Sequence, residues 1–274
     1  MRPKKTLGQH FLIDHNITRK IVTLAAIVPG DFIVEIGPGT GELTEALLKQ
    51  GARVLAIEVD TKLSDPLKNR LSSYSDFELA LGDACRYPYQ TINRPAGDGR
   101  PAGDGRPFKV VANLPYNIST PILFRLLKER DHISNMVLML QKEVAERLAA
   151  QAGSKTYGAL SILFQLFADV KIAFSVSANC FRPRPKVASA VIHVTPHLTS
   201  KAPLLNEPFF EKVVRCAFSH RRKFLLNTLT DEGFARDILL KTFEEMGIDP
   251  HRRAETLTFA EFATLANALF NDLQ

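Results

Sequence analysis

Cysteine is scarce in this chain, and the scarcity removes several function classes. The 274 residues hold three, Cys85, Cys180 and Cys216, spaced too widely for a disulfide framework or a thiolate metal site. The expected setting is therefore a reducing cytoplasm, with no metal. No apolar run is long enough to span a bilayer, so no membrane association is expected. The opening Met1-Arg2-Pro3-Lys4-Lys5 is basic, but no signal-like apolar stretch follows it. Negative charge is also short: 29 acidic against 35 basic side chains leave a net charge of +6 and a pI near 9.2. Such a balance favours a polyanionic partner. Apolar residues are not short. At 45% hydrophobic the chain should fold around a core and not stay disordered. Its length allows one large domain and a small second one.

The basic surplus is uneven. Residues 201–274 hold 10 Lys and Arg and 11 Asp and Glu, whereas the first 200 hold 25 and 18. Basic clusters stand at Arg2/Lys4/Lys5, at Arg182/Arg184/Lys186 and at Arg221/Arg222/Lys223. Such clusters usually form solvated faces. The middle one flanks Phe181, an arrangement in which cations hold nucleic-acid phosphates while aromatics hold a base.

Apolar periodicity alternates between strand and helix. An early helix is expected from Asn16 to Ala26. Strands are expected near 32–36, 53–58, 77–81, 109–113 and 136–141, with helices near 41–50, 61–72, 120–129 and 142–151. Ala159–Phe167 reads as helical, and 168–177 with 188–195 as an antiparallel pair closing the sheet. The alternation argues for an α/β, doubly wound sheet. Pro196 to Pro208 reads as a linker. Beyond it 207–219, 221–229, 233–246 and 258–273 have helical character, with Gly247 and Pro250 as a stop signal. The expected division is a catalytic domain over 1–196 and a small helical domain over 197–274. One segment stands apart: Arg94-Pro95-Ala96-Gly97-Asp98-Gly99 is repeated at once as Arg100-Pro101-Ala102-Gly103-Asp104-Gly105. It is too rich in breakers to join a core and should form a mobile surface loop, a tandem duplication without a role. RNA contact through Arg94, Arg100 and Arg106 is the alternative.

Three strand ends carry chemistry. Phe32-Ile33-Val34 leads into Glu35-Ile36-Gly37-Pro38-Gly39-Thr40-Gly41. Glycines on alternate residues let backbone approach a ligand closely before a helix begins. Glu42 takes the place of the third glycine of the dinucleotide fingerprint, so that fingerprint fails. An acid just before the first glycine instead suits a positively charged nucleoside without pyrophosphate, of which S-adenosylmethionine is one. The next strand ends in Glu58, 17 residues after Gly41. That lies near the offset of about 20 residues at which an acid meets ribose hydroxyls. A third strand end carries Gly82-Asp83-Ala84, where Asp83 can accept from an adenine amino group.

A fourth, Val110-Val111-Ala112, runs into Asn113-Leu114-Pro115-Tyr116. The Asn113 side-chain oxygen and the Leu114 carbonyl can both accept from an exocyclic amino group, and the Tyr116 ring can stack on the heterocycle bearing it. Two acceptors keep electron density on a poorly nucleophilic nitrogen while an electrophile approaches, which is catalysis by positioning. The same four residues also fit a plain strand end with a proline turn.

Taken together these motifs resemble a class I methyltransferase, and more narrowly the ribosomal RNA small-subunit adenine dimethyltransferase family of the KsgA/RsmA type. Gly8-Gln9-His10-Phe11-Leu12 resembles its N-terminal cofactor motif, in which many members have Asn at the position of His10. The continuation Asn117-Ile118-Ser119-Thr120-Pro121, the block Leu140–Leu148, the pattern Phe181-Arg182-Pro183-Arg184-Pro185-Lys186-Val187-Ala188-Ser189-Ala190-Val191 and the basic run Ala217–Lys223 extend the likeness over nearly the whole chain. The resemblance implies a Rossmann-like fold with S-adenosylmethionine near His10, Leu12, Gly37, Gly39, Glu58, Asp83 and Asn113. It implies Asn113, Leu114, Tyr116 and Phe181 as the catalytic group, with Tyr116 and Phe181 holding the faces of a flipped adenine. Arg182, Arg184 and Lys186, with Arg221, Arg222 and Lys223, would contact RNA. Because stacking needs only the ring, Tyr116→Phe should be mild. The implied reaction is dimethylation at N6 of two adjacent adenosines near the 3′ end of 16S rRNA, in the small ribosomal subunit or its precursor, by a cytoplasmic monomer. Three rivals remain: a large-subunit rRNA methyltransferase of the macrolide-resistance type, a non-catalytic binding module, and DNA adenine or protein glutamine methyltransferases. The 117–121 continuation and the 221–223 block speak against the first. The intact cofactor motifs speak against the second, and Leu114 with the Phe181 block against the third.

Overall fold

The computed structural model describes residues 8–92 and 107–272. The Arg2/Lys4/Lys5 cluster and the duplicated segment, with Arg94, Arg100 and Arg106, lie outside them. Two compact units are present. One takes in the described residues up to Ala145 together with Lys171–Pro196; the other takes in Glu146–Val170 and the residues from His197 on. The division therefore differs in one respect from a single cut after residue 196, since Glu146–Val170 groups with the helical part of the chain.

The first unit begins with a two-residue strand, β1 (Phe11–Leu12), and helix α1 (His15–Leu24). The Asp14 carboxylate caps that helix by accepting from the backbone N–H groups of Asn16 and Ile17, two of the donors a helix start leaves unpaired. There follow β2 (Phe32–Ile36), α2 (Glu42–Leu48), β3 (Arg53–Glu58), α3 (Ser64–Arg70), β4 (Phe77–Leu81), β5 (Phe108–Asn113), α4 (Ser119–Lys128), β6 (Ile133–Gln141) and α5 (Lys142–Leu148). After α6 (Ala159–Phe167) come β7 (Ala168–Val176), β8 (Phe181–Arg182) and β9 (Ser189–Pro196).

The main sheet has seven strands in the order β4-β3-β2-β5-β6-β9-β7. The five strands from β4 to β6 are parallel, and β9 runs antiparallel to β6. Parallel strands are covered on both faces, which is why β2, β3, β5 and β6 read as near-continuous apolar runs. Val34, Ala56, Val110, Val111, Ala112 and Leu138 are fully buried. Each large aliphatic side chain so buried contributes roughly 1.5–3 kcal/mol relative to exposure. The chain builds outward from β2 through β3 to β4, then returns to build through β5 to β6. Parallel neighbours in this order, joined by helical crossovers, make this a doubly wound, Rossmann-like sheet with its switch point between β2 and β5.

A second sheet was not foreseen from the sequence. β1 pairs antiparallel with β8, with Phe11 opposite Arg182 and Leu12 opposite Phe181. Two residues are too few for any periodic signal.

The second unit is helical. It contains α6, α7 (Glu207–Ala217), α8 (Leu225–Asp231), α9 (Arg236–Glu245) and α10 (Phe259–Asn271). Asn206 caps α7, with Pro208 in its first turn, and Thr258 with Glu261 forms a reciprocal capping box on α10. Phe164, Phe210, Phe243 and Phe262 are fully buried in its core. No helix of the described residues is long and apolar enough to cross a membrane.

Candidate active site

The switch point of an open α/β sheet is where ligands bind, because the loops leaving adjacent strands diverge there. Here those loops are the glycine-rich turn after β2 and the Asn113–Tyr116 turn after β5. They touch: a Cβ on Gly37 would lie 3.7 Å from the Pro115 ring and 4.0 Å from the Asn113 carbonyl oxygen. Gly41 starts α2 at a φ of +86°, a left-handed conformation that glycine adopts without strain. Gly39 has a φ of +58°, and a Cβ there would sit 2.8 Å from the Phe11 ring. The N-terminal segment thus lies directly across the turn.

One cavity of about 270 Å³ runs along these strand ends. It is lined by His10, Leu12, Gly37, Gly39, Glu58, Asp83, Asn113, Leu114 and Tyr116, and also by Glu35 and Phe11. The nine members of this set expected from the sequence therefore meet in one place.

Two buried acids give the cavity its polarity. Glu58, at the end of β3, accepts from the Asp60 N–H at 2.8 Å and the Gly39 N–H at 3.4 Å. Burial still raises its pKa. Glu35 is 1% exposed, and its Oε2 has no hydrogen-bond partner among the described residues. Burial pushes its pKa up to about 8, and the neighbouring Glu58 charge adds to the rise. The Thr44 hydroxyl opposes the shift but forms no well-aligned bond to it. Asp83 is better solvated, with one oxygen accepting from the Cys85 N–H at 2.9 Å.

The acceptor face is set by Asn113. Its Nδ2 donates to the His10 carbonyl oxygen at 3.0 Å, which fixes the amide and keeps Oδ1 as its acceptor. The Leu114 N–H donates to the Met139 carbonyl at 2.9 Å, so the following turn is fixed to β6. The His10 ring centroid lies 5.1 Å from that of Tyr116. His10 Nδ1 lies 2.7 Å from the Pro183 carbonyl oxygen, which can only accept, so Nδ1 carries the proton. Tyr116 Oη lies 2.5 Å from Ser189 Oγ, and burial raises the phenol pKa.

Phe181 departs from expectation. It is 2% exposed and belongs to the apolar cluster with Leu12, Ile33 and Val191, and it is absent from the cavity lining. The ring is committed to the core because β8 pairs with β1 there. The basic residues also divide. Arg182, Arg184 and Lys186 are exposed on the segment joining Phe181 to Ser189. In the second unit Arg221 donates to the carbonyls of Lys155 and Tyr157, each at 2.9 Å, and pairs with Glu255 at 3.6 Å. Lys223 pairs with Asp231 at 2.8 Å. Those two cations are tied to groups of their own unit, although all three residues of the run are exposed. Sequence reasoning missed Ser189 as a contact of Tyr116. The only signal was its place in the Phe181–Val191 pattern.

Known proteins resemble this chain throughout. Residues 1–271 match the family described as ribosomal RNA adenine dimethylase. A protein of Moorella thermoacetica named ribosomal RNA small subunit methyltransferase A is 42% identical over 268 residues, covering 97% of this chain and 92% of its own. One of the same name from Pelotomaculum thermopropionicum is 42% identical over 271 residues, covering 98% and 92%. Among solved structures, a dimethyladenosine transferase from Plasmodium falciparum superposes with a TM-score of 0.74 at 29% identity, over 93% of this chain and 96% of that one. The 23S rRNA methyltransferase ErmE reaches 0.67 at 22% identity over 95% and 99%, a likeness of fold alone.

Proposed function

The chain belongs to the ribosomal RNA adenine dimethylase family and is an S-adenosylmethionine-dependent rRNA methyltransferase, and on that premise we propose that its cavity dimethylates N6 of two adjacent adenosines near the 3′ end of 16S rRNA. The substrate is the small ribosomal subunit or its precursor. The cavity fits the methyl donor: Glu35 has an orphaned buried oxygen open to a ligand's hydrogen-bond donor, and Glu58 has acceptor capacity for ribose hydroxyls. Asp83 stands where an adenine amino group can donate, and Leu12 with Gly37 and Gly39 forms the apolar and backbone walls. When bound, S-adenosylmethionine supplies an electrophilic methyl on a sulfonium.

The chain's own residues then do three things. Tyr116 offers its ring to one face of the extruded adenine. Asn113 Oδ1 and the Leu114 carbonyl accept from the N6 amino group and so direct its lone pair at the methyl carbon. N6 forms the new bond as the carbon–sulfur bond breaks, and the alkylated nitrogen, now acidic, loses its proton to water. No strong base is required. The observation that carries this reading is the Asn113 amide, oriented by the His10 carbonyl beside the glycine-rich turn.

Arg182, Arg184 and Lys186 hold RNA phosphates at the rim, and Arg222 reaches a more distant part of the RNA. We assign cofactor binding and catalysis to the first unit and an accessory RNA contact to the helical one. The site residues of one chain line one cavity, which suits action as a monomer, and a ribosomal RNA substrate suits the cytoplasm.

The test is methyl transfer from labelled S-adenosylmethionine to immature small subunits, with large subunits and naked RNA alongside and the nucleoside identified by mass. Dimethyladenosine in the small-subunit sample alone is expected. Label in large-subunit RNA would move the assignment to the resistance-type reaction. Cofactor binding without any label would favour a binding module.

A further inference from the structure

Ser189 has no part in the mechanism as described, yet it is among the most constrained residues near the cavity. It opens β9 opposite Gln141 and is fully buried. The residue before it, Ala188, accepts from the Lys142 N–H at 3.0 Å, so the strand start is pinned to the adjoining chain. Its Oγ meets Tyr116 Oη at 2.5 Å. The other end of the contact is braced as well, by the His10 ring at 5.1 Å from the Tyr116 ring. A phenol free at its hydroxyl can rock about its side-chain torsions. A phenol tied to a strand of the central sheet cannot.

We infer that Ser189 is a positioning residue for methyl transfer, which fixes the plane of the Tyr116 ring, and with it the target base, through the hydroxyl–hydroxyl hydrogen bond. The inference rests on the reading of Tyr116 as the wall on which the base stacks. Displacement of a reacting group by about 1 Å can lower a rate by a factor of about 100, so a ring that rocks loses turnover even while it still binds. The sequence-based expectation that Tyr116→Phe is mild changes accordingly. Phenylalanine keeps the stacking face but removes the tether and leaves the buried Ser189 hydroxyl without its phenol.

The test is a double-variant cycle with Ser189→Ala, Tyr116→Phe and the pair together. Single-turnover methyl transfer, KM for the RNA substrate, cofactor dissociation constant and melting temperature are measured for each. Each single variant should slow transfer about three- to tenfold, the worth of one neutral hydrogen bond, with KM and cofactor affinity within about twofold. The pair should be no slower than the slower single variant, because both remove the same bond. Tyr116→Phe breaks the contact without altering β9, so misfolding of Ser189→Ala would leave the inference open to refutation. Wild-type rates in Tyr116→Phe, or losses that multiply in the pair, would overturn it. So would a rise in KM at unchanged turnover. Absence of transfer by the wild-type protein would instead overturn the functional reading, and this inference with it.

Discussion

At the end of β5 the Asn113 amide is held through Nδ2 on the His10 carbonyl, so its remaining acceptor has one direction. Replacing it by alanine removes the acceptor but leaves the apolar strand that carries it. Asn113→Ala should therefore lower single-turnover methyl transfer by about 100-fold or more, as loss of a preorganised polar group does. Circular dichroism and cofactor titration should stay near wild type, and retained turnover would remove Asn113 from its role. Glu35 makes a different prediction. Its pKa of about 8 in the folded chain lies above the ordinary 4.5, so the folded state keeps a proton that the unfolded chain has released. Between those values stability falls as pH rises, because ionisation in the buried site is penalised. Glu35→Gln should flatten the fall in melting temperature across that window, and an unchanged slope would contradict it. Much of this was legible beforehand. Asn113, Glu58 and Asp83 stood out together because successive strands end on them in order, and the structure brings all three to one cavity. Phe181 did not. A motif names the ring, but its side of the wall depends on a two-residue pairing partner far away in the chain.

Among the elements, the N-terminal segment does the most with the fewest residues. Phe11 lies against Gly39, Gln9 Nε2 donates to Asp60 Oδ2 at 3.3 Å, and β1 is held by β8. Gly39→Ala would place a methyl 2.8 Å from the Phe11 ring at a φ of +58°. The strap must then lift or the turn must strain. Calorimetry should report weaker cofactor binding and a lower melting temperature, and wild-type affinity would mean the strap is not part of the pocket. The long strands and their crossover helices followed the apolar pattern closely, since burial on both faces leaves little freedom. The helical part was read less exactly. A helix was expected over 221–229, whereas α8 runs from Leu225 to Asp231. Arg221 to Lys223 form a turn from which Arg221 reaches the Lys155 and Tyr157 carbonyls. Periodicity cannot announce that contact.

For the whole molecule, charge and chain order decide what the fold can do. The exposed Arg182, Arg184 and Lys186 run from the end of β8 towards Ser189, the hydrogen-bond partner of Tyr116, so a backbone bound there would lie near the ring proposed to hold the base. Replacing all three by alanine should weaken RNA binding and flatten the dependence of log affinity on log salt by about 2, as expected for three single-strand phosphate contacts. An unchanged slope would mean the phosphates bind elsewhere. Deleting one copy of the 94–105 duplication should leave turnover intact, and a large loss of RNA affinity would give those arginines a role. The pairing of β1 with β8 has a consequence in time. His10 and its partner Pro183 lie 173 residues apart, so the contact closes a very long loop and forms late. While the protein is being synthesised, the glycine-rich turn, Asp60 and Asn113 emerge first, so the N-terminal segment meets those partners before β8 exists to pair with it. A nascent chain that ends before Pro183 lacks the carbonyl that fixes the His10 ring and the strand that pairs with β1, so the N-terminal segment gains its last anchors only as the catalytic unit nears completion.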